Sequence, residues 1–135
     1  MGIHDTDPNT PNKEFAPEGW HVPSDAEWTT LENYLIANGY NYDGTTTENK
    51  IAKSMASTTG WNSSTEPGAP GNDQSLNNSS GFNAFPEGLC YDYGLFVDEG
   101  YQAAFCSSTE YNAIYAWCRN LGNNGSYLYR YRDSK

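Results

Sequence analysis

Residues 126 to 132 read Ser-Tyr-Leu-Tyr-Arg-Tyr-Arg, a strict alternation with a period of two. A helix would scatter such residues around its surface. An extended strand sorts them, with Tyr127, Tyr129 and Tyr131 on one face and Leu128, Arg130 and Arg132 on the other. The chain must therefore supply a sheet to hold this strand, with one of these two faces turned inward. Other strand-like runs precede it, at 88–93, 101–107 and 113–120, separated by the turn residues Asp98-Glu99-Gly100 and Gly122-Asn123-Asn124-Gly125.

Helical signals come earlier in the chain. Ser24-Asp25-Ala26-Glu27 has the form of a capping box, Trp28, Leu31 and Leu35 share one helical face, and Gly39 can end the helix, so a helix is expected from about 25 to 38. Thr45-Thr46-Thr47-Glu48 repeats the capping pattern ahead of an apolar stripe of Ile51, Ala52 and Met55, which predicts a second, shorter helix ending near Ser57. From Thr58 to Asn83 the chain is loop, interrupted by Trp61, Leu76 and Phe82. Helices first and strands after give an α+β fold: two N-terminal helices on a small, mostly antiparallel sheet with long loops. Residues 1–18, with Pro8, Pro11 and Pro17, read as an extended polar lead-in, and 19–135 as a single domain.

Apolar residues make up only 36% of the chain, yet aromatics reach 15%, so a few large side chains must carry the core. The net charge of −10 disfavours nucleic acid or an anionic membrane as partner. The charge is uneven. Residues 1–100 hold fifteen acids and three bases, whereas 101–135 hold two acids and four bases. No run is apolar enough for a membrane span, and no export-signal pattern opens the chain. Cys90, Cys106 and Cys118 permit at most one internal disulfide and show no C-x-x-C pair; a zinc site would need a fourth ligand, so buried structural cysteines are expected.

Several blocks occur in a recognisable order: Ala16-Pro-Glu-Gly-Trp-His-Val-Pro-Ser-Asp-Ala-Glu-Trp28, Lys50-Ile-Ala-Lys-Ser-Met-Ala-Ser, Gly60-Trp61-Asn62, Gly81-Phe-Asn-Ala-Phe-Pro86, Ser107-Ser-Thr-Glu110 and Ala116-Trp117. In this the chain resembles the Fibrobacter succinogenes major paralogous domain family. The resemblance implies a C-type-lectin-like fold, akin to that of formylglycine-generating enzymes. It also implies an exported bacterial protein, secreted or at the cell surface, of the kind found in Bacteroidetes and Fibrobacteres. Family members often carry a Cys where this chain has Ala16, and a closing strand with a second Cys. Here the sequence stops at Asp133-Ser134-Lys135, so a domain truncated at its C-terminal strand is expected, with an exposed sheet edge able to pair with another copy.

His21 lacks a nucleophile and an orienting acid of any known signature and reads as part of a turn that packs Trp20 and aims the helix. Ser107-Ser108-Thr109-Glu110 lacks the G-x-S-x-G context, so its hydroxyls are expected to tie down a strand end. Asp92, Asp98, Glu99 and Glu110 leave open a small glycoside hydrolase with two carboxylates. The calcium-dependent sugar-binding triplets Glu-Pro-Asn, Gln-Pro-Asp and Trp-Asn-Asp are absent, as are the paired catalytic cysteines of formylglycine-generating enzymes, and neither metal nor cofactor is expected. The strongest candidate is a non-catalytic ligand-binding face of Tyr111, Tyr115, Arg119, Asn123, Asn124, Tyr127, Tyr129, Arg130, Tyr131 and Arg132. Tyr rings stack on sugars, and the Tyr, Asn, Ser and Arg mixture is that of antibody paratopes. Its ligand is expected to be a glycan or a surface protein. The protein-ligand version is a hypervariable display protein of a diversity-generating retroelement, which uses a similar scaffold. Trp117, at the centre of its strand, is expected in the core.

Overall fold

A computed structural model of the chain describes Pro17, residues 19–91 and residues 94–134; the expected lead-in, Pro17 apart, falls almost wholly outside the described residues. The fold is α+β. Helices α1 (Asp25–Ala37) and α2 (Ala52–Met55) and a 3-10 turn (Gln74–Leu76) precede five strands: β1 (Leu89–Cys90), β2 (Phe96–Val97), β3 (Gln102–Glu110), β4 (Tyr115–Gly122) and β5 (Tyr129–Ser134). Strands β3-β4-β5 form an antiparallel sheet in that order, and β1 and β2 a separate antiparallel ribbon. A parallel bridge between Gly88 and Ala103 joins the two.

Helix α1 starts as its capping box dictates. Ser24 Oγ accepts from the Glu27 amide, and Glu27 Oε2 accepts from the Ser24 amide over 2.8 Å. His21 Nε2 lies 2.8 Å from Glu27 Oε1, bracing the entry turn, although Trp20 itself is exposed. Gly39, at φ 78°, takes the left-handed conformation that ends the helix. Trp28 and Leu35 are buried and join Ile51, Met55, Trp61, Leu121 and Leu128 in one core.

The capping pattern at Thr45–Glu48 does not start a helix. Asp43 takes the Thr45 hydroxyl over 2.6 Å, and the Asn41 side chain donates to the carbonyls of Thr47 and Glu48, folding this stretch into a loop. Helix α2 is a single turn entered from Ile51 without a side-chain cap. The following long loop is pinned from inside. Trp61 is buried and donates to Ser57 Oγ, and Asn77 donates to the carbonyls of Ser57 and Pro70. Lys53 Nζ donates to the carbonyls of Asn72 and Asp73. A side chain at Gly71 would run into the Asn62 carbonyl, so the loop closes on itself only with glycine there. Leu76, by contrast, is exposed.

Cys106 and Cys118, directly opposite on β3 and β4, form a disulfide. Cys118 is buried, but Cys106 is exposed and Cys90 is a free, exposed thiol, both contrary to the expectation of burial. Cys90 sits on the two-stranded ribbon, which has too little structure around it to enclose a side chain.

Candidate functional site

Strand register sorts the candidate residues, because directly paired residues share a sheet face. Phe105 pairs with Arg119, Arg119 with Arg130, and Trp117 with Arg132. These side chains, with Leu121 and Leu128, belong to the face that α1 covers. Cys106 pairs with Cys118, Cys118 with Tyr131, and Asn120 with Tyr129, which puts the tyrosines on the opposite face. Leu128 is 2% exposed while Tyr127 and Tyr129 are 50% and 55% exposed, so the Leu-Arg face is the inward one.

Arg119 is not a surface residue. It is fully buried, its Nη1 donating to Asp25 Oδ1 over 2.7 Å and its Nε to Glu32 Oε2 over 2.9 Å. A buried charge must be paired, and helix α1 supplies both carboxylates. Arg130 reaches the same Asp25 through two further bonds of 2.9 and 2.8 Å. The Asp25 carboxyl titrates below its ordinary range, chiefly because Arg130 donates to it, with burial opposing.

Helix α1 begins at Asp25, level with Arg119 and Arg130, so the sheet overhangs it by the next pair of residues. Trp117 therefore lies in the overhang, half-buried, and not in the core. Its indole carries the Arg130 guanidinium 3.3 Å from the ring centre and meets Tyr111 edge-on at 5.0 Å. Arg132 lies 4.8 Å from the Tyr111 ring centre and 6.0 Å from that of Tyr115. Sequence reasoning missed Trp117 as a member of this group. The signal was its two-residue spacing from Tyr115 and Arg119, which gives all three one face.

On the open face, Tyr127 meets Tyr129 edge-on at 6.1 Å, and Tyr129 stacks on Tyr131 at 6.0 Å with planes 9° apart. The Tyr131 hydroxyl is buried without a hydrogen-bond partner, and burial pushes its pKa up to about 12. Asn120, beside the ladder, donates to Gln102 Oε1. Of the turn asparagines, Asn123 is tied into the fold: its amide donates to the Tyr101 carbonyl and its carbonyl accepts from Gly71. Asn124 is exposed. The ten candidates thus divide into an open-face ladder (Tyr127, Tyr129, Tyr131), an overhang (Tyr111, Tyr115, Arg130, Arg132), a turn and a buried ion pair.

The other candidates resolve as follows. Ser107 Oγ accepts from the Thr109 amide and Thr109 Oγ1 from the Asp25 amide, so these hydroxyls fasten β3 to the start of α1. Asp92 lies outside the described residues. Asp98 and Glu99, joined by Glu87, line a cleft of about 450 Å³ with Phe85 and Phe96, while Glu110 ends β3. A second hollow, of about 540 Å³, has Trp28, Leu31, Phe82 and Phe105 in its walls. Among the described residues no group of three or more His, Cys, Asp and Glu could hold a metal ion, and no helix is long and apolar enough to cross a membrane.

A family model described as the Fibrobacter succinogenes major domain matches residues 5–134. No curated protein and no solved structure matches the chain.

Proposed function

Since the chain belongs to the Fibrobacter succinogenes major domain family, we propose that it is a non-catalytic carbohydrate-binding module of C-type-lectin-like fold, carried by an exported bacterial protein and holding its ligand on the open face of the sheet. One observation carries this reading: Tyr127, Tyr129 and Tyr131 form a continuous ladder of rings on that face, half-exposed or more at its first two members, while Leu128 between them is in the core. An exposed row of mutually packed aromatics costs solvation and is retained where a partner covers it. Tyrosine rings offer an apolar surface to the C–H face of a pyranose, and their hydroxyls bond its rim. The Cys106–Cys118 disulfide joins the two strands beside the ladder, so the platform is held before the ligand arrives, which limits the entropy lost on binding.

The test is a glycan-array screen of the purified chain beside Tyr129→Ala. Binding lost in the variant, with an unchanged circular dichroism spectrum, supports a sugar site on the ladder. Absence of binding to any glycan sinks the reading and favours the display-protein alternative, in which the same face meets a protein. The hydrolase alternative is favoured by Glu87, Asp98 and Glu99 lying in one cleft. Release of new reducing ends from a glycan, abolished by Glu99→Gln, would establish it in place of the binding module.

A further inference from the structure

Building on the carbohydrate reading above, we propose that the overhang beyond α1 is a subsite for the carboxylate of an acidic sugar, with Arg132 as its ligand and Tyr111 and Tyr115 as its walls. The sheet holds three arginines. Arg119 and Arg130 give their N–H donors to Asp25 and Glu32. The Arg132 side chain makes no hydrogen bond or ion pair with another described residue, in a chain with seventeen acids and seven bases. An arginine left unpaired amid such an excess of carboxylates is available to an outside anion.

Its placement favours a planar one. The guanidinium lies against Tyr111 and Tyr115, and contact with ring faces holds the side chain while leaving its N–H fork free. That fork matches a carboxylate in two parallel bonds. Neither acid of residues 101–135 shares this face. Glu110 and Asp133 both pair with Ala116, which belongs to the opposite face with Cys118 and Asn120, and Asp133 accepts from the Ser134 amide. Asp25, the carboxylate at the edge of the overhang, is already bound by two arginines. The ligand therefore meets a positive charge that no described acid compensates, although the whole chain carries −10.

The exposed rings decide between a sugar acid and a peptide acid. Tyr111 is 43% exposed, Tyr115 37% and Ile114, between them in sequence, 63%. This surface suits the apolar face of a pyranose whose ring bears the carboxylate, whereas an aspartate or glutamate side chain brings no such face. The overhang and the tyrosine ladder are the two sides of strand β5, which pairs only with β4 among the described residues, so one polysaccharide can cross its free edge and meet both.

Calorimetric titration with oligogalacturonate and with a neutral galactose oligomer of equal length tests this, on the unmodified chain, Arg132→Gln, Arg132→Lys and Tyr129→Ala. The expected result is tighter binding of oligogalacturonate, weakened about tenfold by Arg132→Gln and partly restored by Arg132→Lys. The preference should shrink as salt is raised. Equal affinity for the two oligomers with the neutral one still lost in Tyr129→Ala overturns the carboxylate subsite and leaves the sugar reading standing. Failure of oligogalacturonate to bind overturns the subsite, and failure of every glycan on the array overturns the sugar reading as well. A sulfated galactan or a glutamate oligomer bound as tightly as oligogalacturonate also overturns the assignment, since the fork and rings would then not be selecting a sugar carboxylate. Arg132 is exposed, so its variants are expected to fold, and their spectra check this.

Discussion

Arg119 on the central strand and Asp25 at the first turn of α1 lie 94 residues apart in sequence and 2.7 Å apart in space. With Glu32 on the other side of the guanidinium, this pair clamps the helix to the sheet where the apolar core leaves off.

Replacing Arg119 with Ala leaves Glu32 without its cation in a site where its side chain is only 16% exposed. Removing one member of such a buried pair typically costs about 3–5 kcal/mol. Urea denaturation should show a loss of that order for Arg119→Ala, and a smaller one for Arg119→Ala combined with Glu32→Ala than the two single losses added together. A loss under about 1 kcal/mol, the usual size for a surface ion pair, would mean that the clamp contributes no more than an exposed contact.

Acid should unfold the protein late. The pKa of Asp25 is lowered in the folded state chiefly by the bond from Arg130, and those of Glu27 and Asp43 are lowered to about 2, by the Ser24 amide and the Thr45 hydroxyl respectively. A folded pKa below the unfolded one means that the unfolded chain takes up more protons, so these contributions are complete only above about pH 5, begin to fade as the unfolded carboxyls protonate, and vanish as the pH falls through the folded values. Melting temperature should therefore change little from pH 7 to about 5 as far as these groups are concerned, and fall progressively between about pH 5 and 2. Thermal scans across this range check it, and Glu27→Gln should fall less steeply than the parent.

The contrast between Arg119 and the capping box of α1 shows what a sequence exposes. Ser24 and Glu27 settle their bonds within three residues, and the alternation of 126–132 fixes its two faces without reference to the rest of the chain. The same local grammar misled at Thr45–Glu48, because Asp43 competes for the hydroxyl that a cap would have used. Which face of β5 turns inward needed Leu128 to be seen in the core, and the burial of Arg119 needed the register of β4 under a helix ninety residues upstream. Trp117 left the core for a similar reason: α1 begins at Asp25, too late to cover it. Alternation grouped Trp117 with Arg119 but carried no information on where the helix layer ends.

The disulfide predicts a thiol count and a stability change. Three cysteines with one bridge leave Cys90 alone to react with a thiol reagent in the native, unreduced protein, and all three after reduction and unfolding. Cross-linking two residues 12 apart stabilises by about 3 kcal/mol in the chain-entropy account, so reduction should lower the denaturation midpoint accordingly. If more than one thiol reacts in the native protein, or all three react on unfolding without a reductant, the strands are not bridged and the ladder loses its brace.

Strand β5 pairs only with β4 among the described residues, and its other edge is where a second copy would add. Antiparallel pairing of two β5 strands about a two-fold axis matches residues of equal parity, since only then does each face continue into its counterpart. Centred on Arg130 or Arg132, such pairing sets that arginine against its own copy; centred on Tyr131, it sets Arg130 against Arg132. Arg130 is neutralised by Asp25, but Arg132 has no acid partner among the described residues, so edge pairing is opposed by charge most strongly in the registers that involve it. Self-association through this edge should therefore be weak at low ionic strength, strengthen as salt is added, and strengthen further in Arg132→Gln, read by sedimentation equilibrium. Association that weakens with salt, or that Arg132→Gln leaves unchanged, would place the contact somewhere other than β5.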